Sequence, residues 1–196
     1  VPLLFVDDAV RAAVDNVGGW PELASETDIA VLAANETEIE TFSLVGSAAG
    51  SVGVGADVEY LSLAKTTEAS VQGATLDAAD DIAIAARSPD ALTTVSLAGA
   101  AGGAVGIGGI VQVALAETET RARIHDADLI AGGDVFLGGW ADRTIDQVVG
   151  TLGAGGTVGI GGSVAVFNAR DEVIAEVEDA FFFNDTATTE IYTDGT

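Results

Sequence analysis

The stretch Val52-Gly53-Val54-Gly55 returns as Val105-Gly106-Ile107-Gly108 and again as Val158-Gly159-Ile160-Gly161, each copy 53 residues after the last. A gapless period constrains the fold more than any residue in it, because each unit must cover surface that its neighbour leaves open. From Leu23 onward the register holds column by column: Leu23, Leu76 and Leu129; Asp28, Asp81 and Asp134; Ile29, Ile82 and Val135; Val71, Ile124 and Val177. The chain divides into a partial unit at 1–45, units at 46–98 and 99–151, a truncated unit at 152–180, and a tail at 181–196. Residues 1–19 read as the second half of an earlier unit, with extra residues near Gly18-Gly19-Trp20-Pro21. Gly-Gly and Pro mark a loop there, with Trp20 as its anchor.

Within a unit the apolar pattern has period 2. From Val105 to Leu115 the residues Val105, Ile107, Val111, Val113 and Leu115 alternate with Gly106, Gly108, Gln112 and Ala114, which predicts a strand of about 35 Å. Shorter strands are expected at Thr120 to Ile124, Leu129 to Ala131, Asp134 to Gly138 and Ile145 to Val149. Turns are expected at His125-Asp126-Ala127, Gly132-Gly133 and Ala141-Asp142-Arg143. No segment has helical periodicity. Strands repeated in register predict an all-β parallel β-solenoid, in which each coil covers the edges of the next. An antiparallel β-sandwich or β-prism array is the alternative, and one wide coil or two narrow coils per unit both fit the period. Glycine opposite Val105 and Ile107 lets another backbone approach, with the apolar face buried in the stack.

Several function classes are disfavoured. Thirty-one Asp and Glu against seven Lys and Arg give a formal charge of −24, which repels nucleic acid and anionic lipid alike. The chain is 48% hydrophobic with a mean hydropathy of +0.41, too apolar for a disordered acidic chain. It has no Cys, hence no disulfide and no thiolate metal site. Val95 to Ala116 carries no charge, but Asp57 and Glu59 interrupt the same columns in the preceding unit and glycines crowd the segment, so membrane insertion is not expected. A phosphate loop fails on spacing, since Lys65 lies far beyond Gly55.

Comparison of the copies also sorts the polar residues. His125 stands where Gln72 and Glu178 stand, Arg121 where Glu68 and Ile174 stand, and Arg143 where Asp90 stands; all read as solvated surface choices. Asp28, Asp81 and Asp134 form an unchanged column before a strand. Asp in that position closes its own turn through its backbone, and a stacked carboxylate ladder is otherwise a place for a bridging cation such as calcium. No catalytic, cofactor-binding or metal residue is assigned, and no enzyme is expected, although carboxylates on a β-helix serve some glycan-cleaving enzymes.

The run Gly102 to Val113, followed by Thr118-Glu119-Thr120-Arg121-Ala122-Arg123-Ile124 and Gly132-Gly133-Asp134-Val135, resembles repeats of very large bacterial surface exoproteins. These are the leukotoxin-like and filamentous-haemagglutinin-like adhesins, including autotransporter passengers. The resemblance covers residues 1–180 and implies an extracellular stalk at a bacterial cell surface, facing a cell-surface, matrix or glycan target. The family offers no catalytic residues to carry over, and the first copy departs from its pattern at Ala56-Asp57 and Glu59. The opening Val1-Pro2-Leu3-Leu4-Phe5-Val6-Asp7 reads as the interior of a longer protein. Asn184-Asp185-Thr186-Ala187-Thr188-Thr189-Glu190-Ile191-Tyr192-Thr193 instead resembles a translated sequencing adapter, which sets the tail outside the repeat and voids the sequon at Asn184. The expected role is a structural or adhesive spacer. The alternatives are a carbohydrate-active β-helix enzyme and a cation-stabilised glycan-binding module.

Overall fold

The computed structural model describes residues 2–15, 22–184 and 189–195. Its elements are β1 (Leu3–Asp15), β2 (Glu22–Ser25), β3 (Ile29–Ala34), β4 (Thr37–Ala49), β5 (Val52–Gln72), β6 (Thr75–Ala78), β7 (Ile82–Gly102), β8 (Val105–Ala131), β9 (Val135–Gly155), β10 (Val158–Asn184) and β11 (Thr189–Gly195). All pairings are parallel: β1, β5, β8 and β10 stack in one sheet with β2 and β6, while β3 and β4, then β7, β9 and β11 stack in the other. This is the parallel β-solenoid the period predicts.

One unit makes one wide coil. Val105 pairs directly with Val52 below it and Val158 above it, so hydrogen-bonded neighbours are one full period apart. Each coil runs out along one sheet, reverses at Gly132-Gly133-Asp134, returns along the other and reverses again at Gly156-Thr157. The turns stack too: the Thr157 N–H donates to Ala104 O at 3.0 Å, and the Ala104 N–H to Ser51 O at 2.8 Å.

The strands are longer than the local patterns predict. β8 spans 27 residues and β9 spans 21, so their coil has two long strands in place of four or five short ones, and the coil below differs by a break between β5 and β6. The expected turn at Ala141-Asp142-Arg143 is strand, because Arg143 points inward to a buried acid and the backbone there pairs with Ser88 to Asp90. The expected break at Asp126 is present as a kink within β8. Gly73, Asp126 and Asp179, one column in three coils, have φ of 60°, 50° and 50°. One residue in the left-handed region shifts the inward phase, so Ile124 and then Ala127 and Leu129 face the core. Gly73 takes that conformation without the steric cost a Cβ brings, and Asp tolerates it better than most residues.

Beyond Ala180 the pairing continues at the same offset through Phe181–Asn184, with Phe182 entering the column of Leu76 and Leu129. β11 then pairs with β9 one residue later, Thr189 against Val135. A strand laid on an open parallel edge needs only backbone, so pairing there does not require repeat side chains.

The interior is banded along the coil. At the far end from the glycine turns, Val71, Leu76, Ile82, Ile84, Ile124, Leu129, Val135 and Leu137 form the main core, each 0–1% exposed. Full burial of each such side chain contributes about 1.5–3 kcal/mol. A smaller cluster of Ile39, Leu61, Leu63, Leu92, Ala114 and Ala116 lies nearer the glycine end. Between the two clusters the interior is polar, and beyond the second it mixes glycine, Asp57, Glu59 and Ser96 with Ala98, Ala100 and Ile110.

Candidate functional site

The glycine stretch faces inward. A Cβ on Gly55 would stand 2.5 Å from Gly99 O, and one on Gly108 would stand 2.9 Å from Leu152 O; Gly53 and Gly106 sit just as tightly against Ala101 and Ala154. Glycine therefore permits close approach, as expected, but of the opposite sheet within the same coil. This corrects the expected polarity of the strand. With no room at these positions for a side chain, the valines and isoleucines point out, and Val54, Ile107 and Ile160 are 59%, 38% and 52% exposed.

Next along the inward face come Asp57 and Glu59, only 4% and 2% exposed. Glu59 accepts from Thr41 Oγ1 at 2.5 Å, from Gln112 Nε2 at 3.0 Å and from Ser96 Oγ, while Asp57 accepts from Ser43 Oγ. Gln147 Nε2 in turn donates to Gln112 Oε1 at 2.7 Å. The first copy thus keeps the glycine face and adds a polar rung to it. Hydroxyl and amide donors from three neighbouring coils satisfy these carboxylates; no ion pair reaches either of them among the described residues.

Between the two apolar clusters lies an ionic band that the sequence comparison missed. Lys65 and Asp90 are fully buried and 2.6 Å apart. Asp90 also accepts from Thr118 Oγ1 at 3.0 Å and from Arg143 Nη2 at 3.1 Å, and Arg143 reaches Asp171 at 2.7 Å. Lys65, Thr118 and Asp171 form one column of the first sheet, facing Asp90 and Arg143 in the second. The charges alternate in sign across the two sheets and sum to zero. Burial pushes the Asp171 carboxyl above the ordinary carboxylate value, the Asp90 charge adds to this, and the Arg143 guanidinium opposes it. Arg143, expected on the surface, is 5% exposed. The signal for it was present: Lys65, Asp90 and Arg143 are charges at core parity on apolar strands.

Asp28, Asp81 and Asp134 sit at the exposed turn between the sheets, and their carboxylates work between coils. The Asp81 N–H donates to Asp28 Oδ1 at 3.1 Å and the Asp134 N–H to Asp81 Oδ1 at 2.7 Å. The Asp28 and Asp81 carboxylates therefore tie down the next coil's turn, where a bond to their own backbone was expected. Among the described residues no group of three or more His, Asp or Glu side chains is placed to hold a metal ion. Trp20 lies outside the described residues.

The outer face of the first sheet just before the kink carries ion pairs between coils. His125 faces Glu178 at 3.3 Å, Arg123 faces Glu176 at 3.5 Å and Arg11 faces Glu68 at 3.7 Å, all between adjacent coils and in contact with solvent. Such pairs contribute little to stability. On the other sheet Phe136 and Trp140 stack at 5.3 Å over Gly138. The buried carboxylates Asp57, Glu59 and Asp90 are thus enclosed by partners inside the fold. No family model, no curated protein and no solved structure matches this chain.

Proposed function

We propose that this chain is a repeat segment of a large extracellular bacterial surface protein, acting as a structural and adhesive spacer that presents broad faces toward a cell-surface, matrix or glycan target. The observation that carries this reading is the coil itself: 53 residues add one strand layer in register with the last. A layer raises the axis by about 4.8 Å, whereas the 27 residues of β8 run on the order of 90 Å. Few repeats make a wide plate and many make a stalk, so presentation comes before reach. The charge of −24 keeps such arrays soluble and repels nucleic acid and anionic membrane. The buried acids have hydrogen-bonding partners inside the fold, which favours a structural role for them over hydrolysis.

The test is to display residues 1–180 on a non-adherent cell and measure retention on matrix- and glycan-coated surfaces under flow. Arrays of two, four and eight units should lengthen by about 4.8 Å per unit in small-angle scattering. Glycan depolymerisation by the purified chain, lost on replacing one Asp or Glu, would overturn the reading in favour of an enzyme.

A further inference from the structure

At the glycine end the solenoid is built inside out. Its interior holds glycine, Asp57, Glu59, Ser43 and Ser96 with Ile110, Ala98 and Ala100 as its buried apolar residues, while its exterior holds bare valine and isoleucine. On the outer face of the first sheet, Val54, Ile107 and Ile160 form one row and Val58, Val111 and Val164 the next, and these last are 44%, 43% and 56% exposed. No charged residue points outward on this face until Glu117 and its column mate Arg170.

We infer that this face is a self-association surface whose occupant is the same face of a second copy. Three features point there. Flat rows of β-branched side chains are what packed sheets use to interdigitate, and a second copy supplies identical rows at the same spacing. The charge of −24 drives copies apart wherever charged surfaces meet, and a charge-free band lets two close. The area is also near what pairing requires. Eleven residues of strand give a band of about 35 Å, and three layers of about 4.8 Å give roughly 500 Å² per copy, or about 1,000 Å² for the pair. Stable interfaces bury about 1,200–2,000 Å². Each added unit contributes a further ~340 Å² to the pair, so five layers pass that threshold where three fall short. Pairing is two-fold and isologous, and it strengthens with array length.

Sedimentation velocity of the chain from about 1 to 500 µM, in 50 and 500 mM NaCl, tests this. We expect a reversible dimer that tightens at high salt, as screening removes the repulsion. The double variant Ile107→Thr/Val111→Thr retains strand propensity and a circular dichroism spectrum like the parent's, and lowers the association constant at least tenfold. A chain extended by two further units dimerises at lower concentration. A monomer throughout at 500 mM NaCl overturns the proposal, as does association that the threonine variant leaves intact. Flotation with phosphatidylcholine vesicles at concentrations where no dimer forms, lost in the same variant, overturns it in favour of a lipid surface.

Discussion

Removing Asp90 tests whether the ionic band holds the wide coil in register. Asp90 is fully buried and accepts from Lys65, Thr118 and Arg143 at 2.6, 3.0 and 3.1 Å. Asp90→Asn keeps the shape but removes the charge, leaving the buried Lys65 ammonium without a counter-charge, on neutral acceptors alone, the amide oxygen and Pro89 O at 3.1 Å. Breaking a buried pair by losing one partner costs about 3–5 kcal/mol. Replacing both partners, in Lys65→Met/Asp90→Leu, removes the desolvation cost along with the attraction and is expected within about 1 kcal/mol of neutral; Arg143 keeps Asp171. Two features keep the double variant from a large gain: Arg143 Nε and Nη1 are already buried without acceptors, and Thr118 loses its acceptor. Urea unfolding followed by far-ultraviolet circular dichroism gives both values. Hydrogen exchange locates the loss, which should centre on amides of β7 and β9 near Asp90. A single variant that costs less than about 1 kcal/mol, or a double variant as damaged as the single, refutes the view that an uncompensated charge dominates here.

Three further outcomes follow from the same geometry. Gly108→Ala is expected to cost about 1–3 kcal/mol by overpacking against Leu152 O, whereas Gly109→Ala, whose Cβ would find only Gly162 O at 3.9 Å, is expected to be neutral or slightly stabilising; paired urea midpoints decide it. Because the folded Asp171 carboxyl titrates above its unfolded value, the folded chain takes up the proton first. The parent therefore gains stability relative to Asp171→Asn as pH falls from 7 toward the ordinary carboxylate range, and a relative loss in acid-melting curves contradicts this. Asp81→Asn should retain the inter-coil bond to the Asp134 N–H and Asp81→Ala should lose about 1 kcal/mol, with calcium and chelator leaving the melting temperature of all three forms unchanged; a calcium-dependent rise restores the cation reading.

How much of this fold is readable in advance depends on which physical term each column expresses. The 53-residue unit and its stacking in register follow from identity across copies such as Leu76 and Leu129, whereas the single wide coil per unit, and a kink at Asp126 that does not leave the strand, do not. The inward direction of the glycines does not follow, since period 2 fixes alternation but leaves open which phase faces the core. A Val-rich phase reads as core by hydrophobicity alone. What reverses it is the distance between sheets near the turn at Gly103-Ala104, where a Cβ on Gly53, Gly55, Gly106 or Gly108 would run into the opposite backbone. Arg143 was misread for a related reason. Variation between Asp90 and Arg143 looks like tolerance on a surface, but the facing column varies in step, from Lys65 to Thr118 to Asp171, so each acid meets a base across the two sheets.

Banding of the interior gives the coil something a uniform apolar core lacks. A strand of 27 residues with only Val, Leu and Ala inside can slip by two residues and bury an equivalent set. A slip of two residues here moves Lys65 away from Asp90 and sets Leu63 or Thr67 against that acid, and it carries Asp57 and Glu59 away from Ser43 and Ser96. Each displaced charge then costs several kcal/mol of burial without a partner. At the glycine end the slip brings Asp57 or Ile110 into the column that only glycine occupies, which the sheet spacing forbids. Polar rungs and glycine contacts thus mark position along the strand, while the two apolar clusters supply the stability. That division accounts for charges so deep in a structural repeat with no reaction assigned to them.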